Sequence, residues 1–156
     1  MMQLFNRKKD DWIEAKIEKA TQEDFALVKS SDEFFFDWTK ERKRMVFKML
    51  EVSKGNILGL ISVTDFPEEL RLHINLLESS KSNVGKNKII DGIAGSLIAY
   101  VVSKAFEKGY NGFVSLIPKT NLIEFYIKMY GFIRVGNALI IEGEQSIKLI
   151  KKYYKS

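Results

Sequence analysis

From Gly92 to Phe132 the chain carries two glycine-marked helix ends separated by a short apolar strand, and that order restricts the fold more than any other stretch. The first mark is a helix start, Gly92-Ile93-Ala94-Gly95-Ser96-Leu97. The second is Phe125-Tyr126-Ile127-Lys128-Met129-Tyr130-Gly131-Phe132, a helix closed by a tight glycine turn. Ile90, Ile93, Leu97, Val101 and Ala105, joined by Ile89, Ile98, Val102 and Phe106, recur at helical spacing. Lys108-Gly109 ends that helix with a cation and a C-terminal glycine. Phe113 to Ile117 is nearly all apolar, as expected of a strand buried on both faces.

The flanking sequence supplies strands. Trp12 to Lys19 alternates apolar and polar at Ile13, Ala15 and Ile17, the pattern of a half-buried strand. Thr21-Gln22-Glu23-Asp24 reads as a helix cap with first-turn acids, opening a short helix to about Ser30. Phe34-Phe35-Phe36-Asp37-Trp38 is an aromatic cluster expected to plug the core or line a groove, with a substrate-facing role as the alternative. Met45 to Val52 and Ile57 to Asp65 are strands joined by the turn Ser53-Lys54-Gly55-Asn56. After the turn Phe66-Pro67-Glu68-Glu69, Leu70 to Glu78 is a third strand, with Leu70, Leu72, Ile74 and Leu76 expected on one face. Residues 79 to 88 read as a polar loop, and Asn121 to Tyr130 as a helix. Phe132 to Val135 and Ala138 to Ile141 flank the hairpin turn Gly136-Asn137, and Glu144 to Tyr154 is an amphipathic closing helix. Asn6 to Asp11 reads as a solvated lead-in. The fold class that follows is α/β (α+β), with a mixed, mostly antiparallel central sheet flanked by helices.

Composition narrows the function classes. A chain of 156 residues with 46% hydrophobic content suits a single domain over residues 1–156. With no cysteine and one histidine, His73, neither a disulfide framework nor a cysteine- or multi-histidine metal site can be built, and no metal is expected. No apolar run is long enough to span a membrane, and Met1 to Asp11 has no apolar core of signal-peptide length, so a cytoplasmic location without membrane partners is the expectation. The net charge of +5 favours anionic ligands. The basic run Lys40-Glu41-Arg42-Lys43-Arg44 is read as a solvated loop, because no nucleic-acid motif accompanies it.

The order of elements and the two glycine-marked motifs resemble the GNAT superfamily of acetyl-CoA-dependent N-acyltransferases. The resemblance covers roughly Trp12 to Glu142 and is specific from about Leu70 to Phe132. The family's phosphate motif is Arg or Gln, two residues, Gly, any residue, then Gly or Ala. Gly92-Ile93-Ala94 matches its second half, while Ile89 stands at the Arg/Gln position. Lys88 and Lys86 lie one and three residues upstream of Ile89 and could restore the charge. The resemblance therefore implies that Lys86, Asn87, Lys88, Gly92, Ile93, Ala94, Gly95 and Ser96 receive the coenzyme A pyrophosphate. Such a helix start offers unpaired N–H groups and partial positive charge. Leu76 and Leu77 would hold the pantetheine arm and the thioester oxygen through their backbone. Tyr126 would protonate the leaving thiolate. Tyr130 is held in reserve, because the ending is one residue longer than the family's Tyr-x-Lys-x-Gly-Phe.

For the base that takes the amine proton, Glu78 comes first, His73 second and Asp65 third. Glu78 and His73 stand five residues apart and point to opposite faces of a regular strand unless a bulge intervenes. The implied activity moves an acetyl group from acetyl-CoA to an amine acceptor by direct attack in a ternary complex. Small amines, peptide N-termini, lysine and aminoacyl-tRNA are all open as acceptors. The closing hairpin and helix could serve a homodimer. The competing reading is a catalytically inactive acyl-CoA-binding or protein-interaction module on the same scaffold.

Overall fold

The structure is a computed structural model that describes residues 1–154; Lys155 and Ser156, the last two residues of the expected domain, lie outside the described residues. Its strands are β1 (Met2–Asn6), β2 (Asp11–Lys19), β3 (Met45–Glu51), β4 (Ile57–Phe66), β5 (Arg71–Ser79), β6 (Val114–Leu116), β7 (Ile133–Val135) and β8 (Ala138–Ile141). Its helices are α1 (Gln22–Ser30), α2 (Ile93–Glu107), α3 (Ile123–Tyr130) and α4 (Gly143–Tyr153). The strands form one 8-stranded sheet in the order β1-β2-β3-β4-β5-β6-β8-β7. Neighbours are antiparallel except β5 and β6, which run parallel. No helix among the described residues is long and apolar enough to cross a membrane.

Helix α2 covers one face of the sheet. Its Leu97, Ile98, Val101, Val102 and Ala105 are buried in one cluster with Met49, Ile61, Val63, Leu72 and Val114. On the opposite face Phe25 and Val28 of α1 and the indole of Trp38 pack with Val46 and Leu60, and Leu76 lies against them. Of the aromatic cluster, then, Trp38 is in the core, whereas Phe35 is exposed.

The start of α1 is fixed as its sequence requires. The Asp24 carboxylate accepts from the Thr21 N–H at 2.7 Å, and the Thr21 hydroxyl accepts from the Asp24 N–H at 3.3 Å. Lys48 of β3 adds a 2.7 Å ion pair to the same carboxylate, and both side chains are buried. Burial alone would raise the Asp24 pKa, but the bonds from Lys48 and Thr21 outweigh it and hold the carboxyl below its ordinary value. That stabilisation is present above the ordinary carboxylate pKa and is lost as pH falls through the lowered folded value. Asp24→Asn, which leaves the buried Lys48 ammonium only its 3.5 Å pair with Glu18, is expected to cost about 2 kcal/mol in urea unfolding at neutral pH. The gap between variant and parent should close as the pH is taken below 3.8.

Several expectations are corrected by the fold. The lead-in is solvated from Arg7 to Asp11 but not at Asn6, which is buried as the last residue of β1 and whose Oδ1 accepts from Lys8 and Lys9 N–H to turn the chain into β2. Leu70 does not join a strand face. It is a left-handed turn residue (φ 53°) and is exposed. Helix α2 starts at Ile93 with Gly92 as its cap, as the glycine-marked start requires, but Ile89 and Ile90, which share the helical spacing, stay outside it, because Ile90 is drawn off to bridge Asn6, with Arg7 N–H donating to the Ile89 carbonyl at 2.7 Å.

The fourth correction matters most. The pairing of β4 with β5 shifts so that Ser62 faces Leu76 while Val63 faces Ile74, which leaves Asn75 as a bulged extra residue. Asn75 Nδ2 secures the bulge by donating to Thr64 Oγ1 at 2.9 Å and Ser62 Oγ at 3.3 Å. The alternation reverses there, so Leu76 leaves the face of Leu72 and Ile74 and packs toward α1. His73, opposite Thr64, and Glu78, opposite Leu60, consequently share the α1 face of the sheet.

Candidate active site

Two features of the fold create room for a ligand. The first is a half-paired strand. β5 and β6 are in register only over Leu72–Ile74 and Val114–Leu116, and β5 then runs on from Asn75 to Ser79 with no β6 partner. Backbone N–H and C=O groups along that side are available to an extended ligand. Leu76 and Leu77 lie in this stretch, immediately after the bulge.

The second feature is the start of α2. Gly92 is its N-cap, left-handed (φ 87°) and without a side chain to satisfy the first turn. The first intrahelical bond is Ser96 N–H to the Gly92 carbonyl at 2.9 Å, so the N–H groups of Ile93, Ala94 and Gly95 have no acceptor within the helix. They lie along a groove of about 680 Å³ whose walls include Lys88, Tyr130, Lys152 and Tyr153. An uncapped helix start, partial positive charge and two lysines make this groove suited to a phosphate-bearing ligand.

The residues expected to hold the pyrophosphate divide. Lys88 and Gly92 to Ser96 line the groove; Lys86 and Asn87 do not and are exposed. Lys88 lies 3.5 Å from Asp91, which tempers its charge. Gly95 has a second duty: a Cβ there would stand 2.5 Å from the Tyr153 ring, so its bareness seats α4 against α2. The Ser96 side chain is also committed, donating to the Tyr153 carbonyl at 3.3 Å. Of these two residues, only the backbone remains to serve a ligand.

Tyr126 and Tyr130 both sit on α3 with ring centroids 5.5 Å apart, and no described residue makes a hydrogen bond to either hydroxyl. Tyr126 packs edge-on against Phe132 and lies outside the groove, whereas Tyr130 lines it and touches Tyr153. Burial raises the pKa of both phenols, reinforced for Tyr130 by Tyr153 and Tyr126.

The two leading base candidates, brought to one face by the bulge, have different surroundings. The Glu78 carboxylate accepts from Phe35 N–H at 2.7 Å, Phe36 N–H at 3.3 Å and Trp38 Nε1–H at 2.8 Å. It is the clamp that fixes the aromatic loop. That loop reaches the connection after β6, where Lys119 Nζ stands 5.7 Å from the Phe36 ring. His73 is half-buried beside the β5–β6 opening, its Nδ1 2.8 Å from Ser115 Oγ. Arg71 donates to the same hydroxyl at 2.7 Å. The Ser115 oxygen has a second lone pair that can accept Nδ1–H, the tautomer that leaves the Nε2 lone pair free to take a proton. Burial, then Arg71 and Arg44, lower the histidine pKa, so the ring is neutral at pH 7. Asp65 is occupied by Tyr110 and Lys108.

Lys152 and Tyr153 of α4 and Trp12 of β2 also line the groove, and the sequence reading did not anticipate them. Lys152 Nζ reaches the Met129 carbonyl at the end of α3 at 3.4 Å. The only sequence signal was the pair of lysines in the last turn of an amphipathic helix, and packing alone shows which of them turns toward α3.

No protein-family model matches the sequence, and no curated protein matches it. Solved structures do match. A Bacillus anthracis protein described as a streptothricin acetyltransferase, solved with acetyl coenzyme A, is 13% identical, with 85% of this chain and 99% of that one covered at a TM-score of 0.64. A spermidine/spermine N-acetyltransferase from Vibrio cholerae is 10% identical, with 86% and 98% covered at a TM-score of 0.64. A nourseothricin acetyltransferase is 13% identical, with 83% and 97% covered at a TM-score of 0.58. At such identities the likeness is one of architecture alone: the mixed, mostly antiparallel 8-stranded sheet with its helices is a GNAT-like fold.

Proposed function

We propose that the protein is an acetyl-CoA-dependent N-acetyltransferase, acting as one domain. The observation that carries this reading is the uncapped start of α2 opening onto the groove, on a sheet whose β5 is left half-paired beside it. The pyrophosphate would rest on the N–H groups of Ile93, Ala94 and Gly95, with Lys88 and Lys152 balancing its charge. The pantetheine arm would run along the unpaired side of β5, and an N–H at Leu76 or Leu77 would hold the thioester oxygen.

The acceptor amine nitrogen attacks the thioester carbon, and the C–S bond breaks as the acetyl group passes to nitrogen. Holding both substrates side by side supplies much of the acceleration. The departing thiolate takes the phenolic proton of Tyr126, and the amine gives its proton to a base on the α1 face. His73 is favoured there over Glu78, whose oxygens already accept three N–H groups. No residue forms an acyl-enzyme in this scheme. The exposed apolar edge of β7, with Ile133 and Val135, supports a homodimer through that strand.

Calorimetric titration with acetyl-CoA and with CoA tests the reading. Saturable one-site binding is expected. Lys88→Ala and Lys152→Ala should each weaken it about fivefold, and Lys86→Ala, outside the groove, should change it less. No binding at millimolar ligand would overturn the cofactor and leave an interaction module on a GNAT fold.

A further inference from the structure

A second cavity, of about 400 Å³, lies on the far side of the 83–90 segment from the cofactor groove. Asn83 and Ile90 wall both spaces, but no residue of β6 or α3 borders this one. It is enclosed by α1, the β3–β4 turn and the loop after β5, with Phe34 and Leu58 among its apolar walls.

Its chemistry centres on Glu51, the last residue of β3. Glu51 is only 3% exposed. One carboxylate oxygen accepts from Ser53 Oγ at 3.2 Å. The other has no donor among the described residues, yet it is not sealed from solvent. No cation pairs with the group among the described residues, although eight ion pairs form elsewhere. Lys54 stands at the wall without reaching it. A carboxylate with one hydroxyl donor and a second oxygen in contact with solvent keeps acceptor positions open to a cationic donor. Glu33 on another wall accepts from Ser82 N–H at 3.1 Å, so it adds negative charge while being held in place.

We propose that this cavity binds a small organic ammonium ion, with the ammonium on Glu51 and the alkyl part against Phe34 and Leu58. An ammonium brings the donors that the free oxygen lacks, and the cavity suits a short alkyl chain rather than a macromolecule. This site lies outside the cofactor groove and does not depend on the cofactor assignment.

The test uses n-butylammonium as the probe, with n-butanol and butyrate as controls, followed by calorimetry and amide chemical shifts on the full chain. Saturable binding of n-butylammonium is expected, with shifts at Ser53 to Leu58 and residues 80–83. Binding should be at least about tenfold weaker in Glu51→Gln, and n-butanol should not bind. Equal binding of n-butanol, unchanged binding by Glu51→Gln, or no saturation with the amine would each overturn the proposal. Should Glu51→Gln fail to fold, the carboxyl carbon shift of Glu51 in the parent protein must move as amine is added; if it stays still, the proposal fails.

Discussion

Tyr126→Phe is expected to lower turnover by about 100-fold while leaving acetyl-CoA affinity within about twofold, because positioned proton donors contribute at least that factor. The phenol is half-buried, its neighbours are aromatic rings, and no described residue hydrogen-bonds its oxygen. Burial moves its pKa up from 10.0, so the group stays protonated through the neutral and mildly alkaline range. It is therefore ready to give a proton to a thiolate and needs none from solvent first. No alkaline loss of rate from this group should appear below pH 10. Tyr130→Phe serves as the comparison. Tyr130 lines the cofactor groove against Tyr153, and its removal should change CoA affinity more than turnover. If the two variants exchange their effects, Tyr130 is the acid, and the extra residue before Gly131 has shifted the role by one helical turn. If neither lowers turnover, the leaving thiolate needs no tyrosine.

How far the sequence alone reached depends on whether a feature is local. The alternation of Trp12 to Lys19, the Thr21–Asp24 cap and the Gly131 stop are set by residues within a turn of each other, and all stand in the fold. The start of α2 at Gly92 is local too, but the two isoleucines ahead of it are placed by a non-local contact. Ile89 and Ile90 carry the helical spacing but are claimed by the end of β1, where Asn6 was taken for part of a solvated lead-in. The bulge at Asn75 left no pattern of its own, because Leu76 and Leu77 are both leucine and hide the reversal of faces. Gly92 and Gly95 read alike in sequence. In the fold one bares a helix start and the other accommodates a tyrosine 58 residues further along. Lys152 entered the groove through α4, a contact no local spacing reveals.

The shared face of His73 and Glu78 makes a base assignment that can be tested by stability and pH together. Glu78→Ala is expected to cost about 3 kcal/mol, because it leaves the buried Trp38 N–H and two backbone N–H groups without acceptors. The aromatic loop, freed from β5, should bind the acceptor more weakly, so KM for the amine rises. The acid limb of the pH–rate profile should stay where it is, since a clamp carries no proton in the reaction. His73→Asn should behave in the opposite way. It keeps a polar partner for Ser115 and costs little stability, but it removes the acid limb. Burial and the charges of Arg71 and Arg44 place the His73 pKa below 6.5, so in the parent protein activity should hold through neutrality and fall only on acidification below that value. Loss of the acid limb in Glu78→Ala, with His73→Asn unchanged, would return the role to Glu78 despite its three donors. An acid limb intact in both would leave the proton to water held on the polar row of Ser62, Thr64 and Asn75.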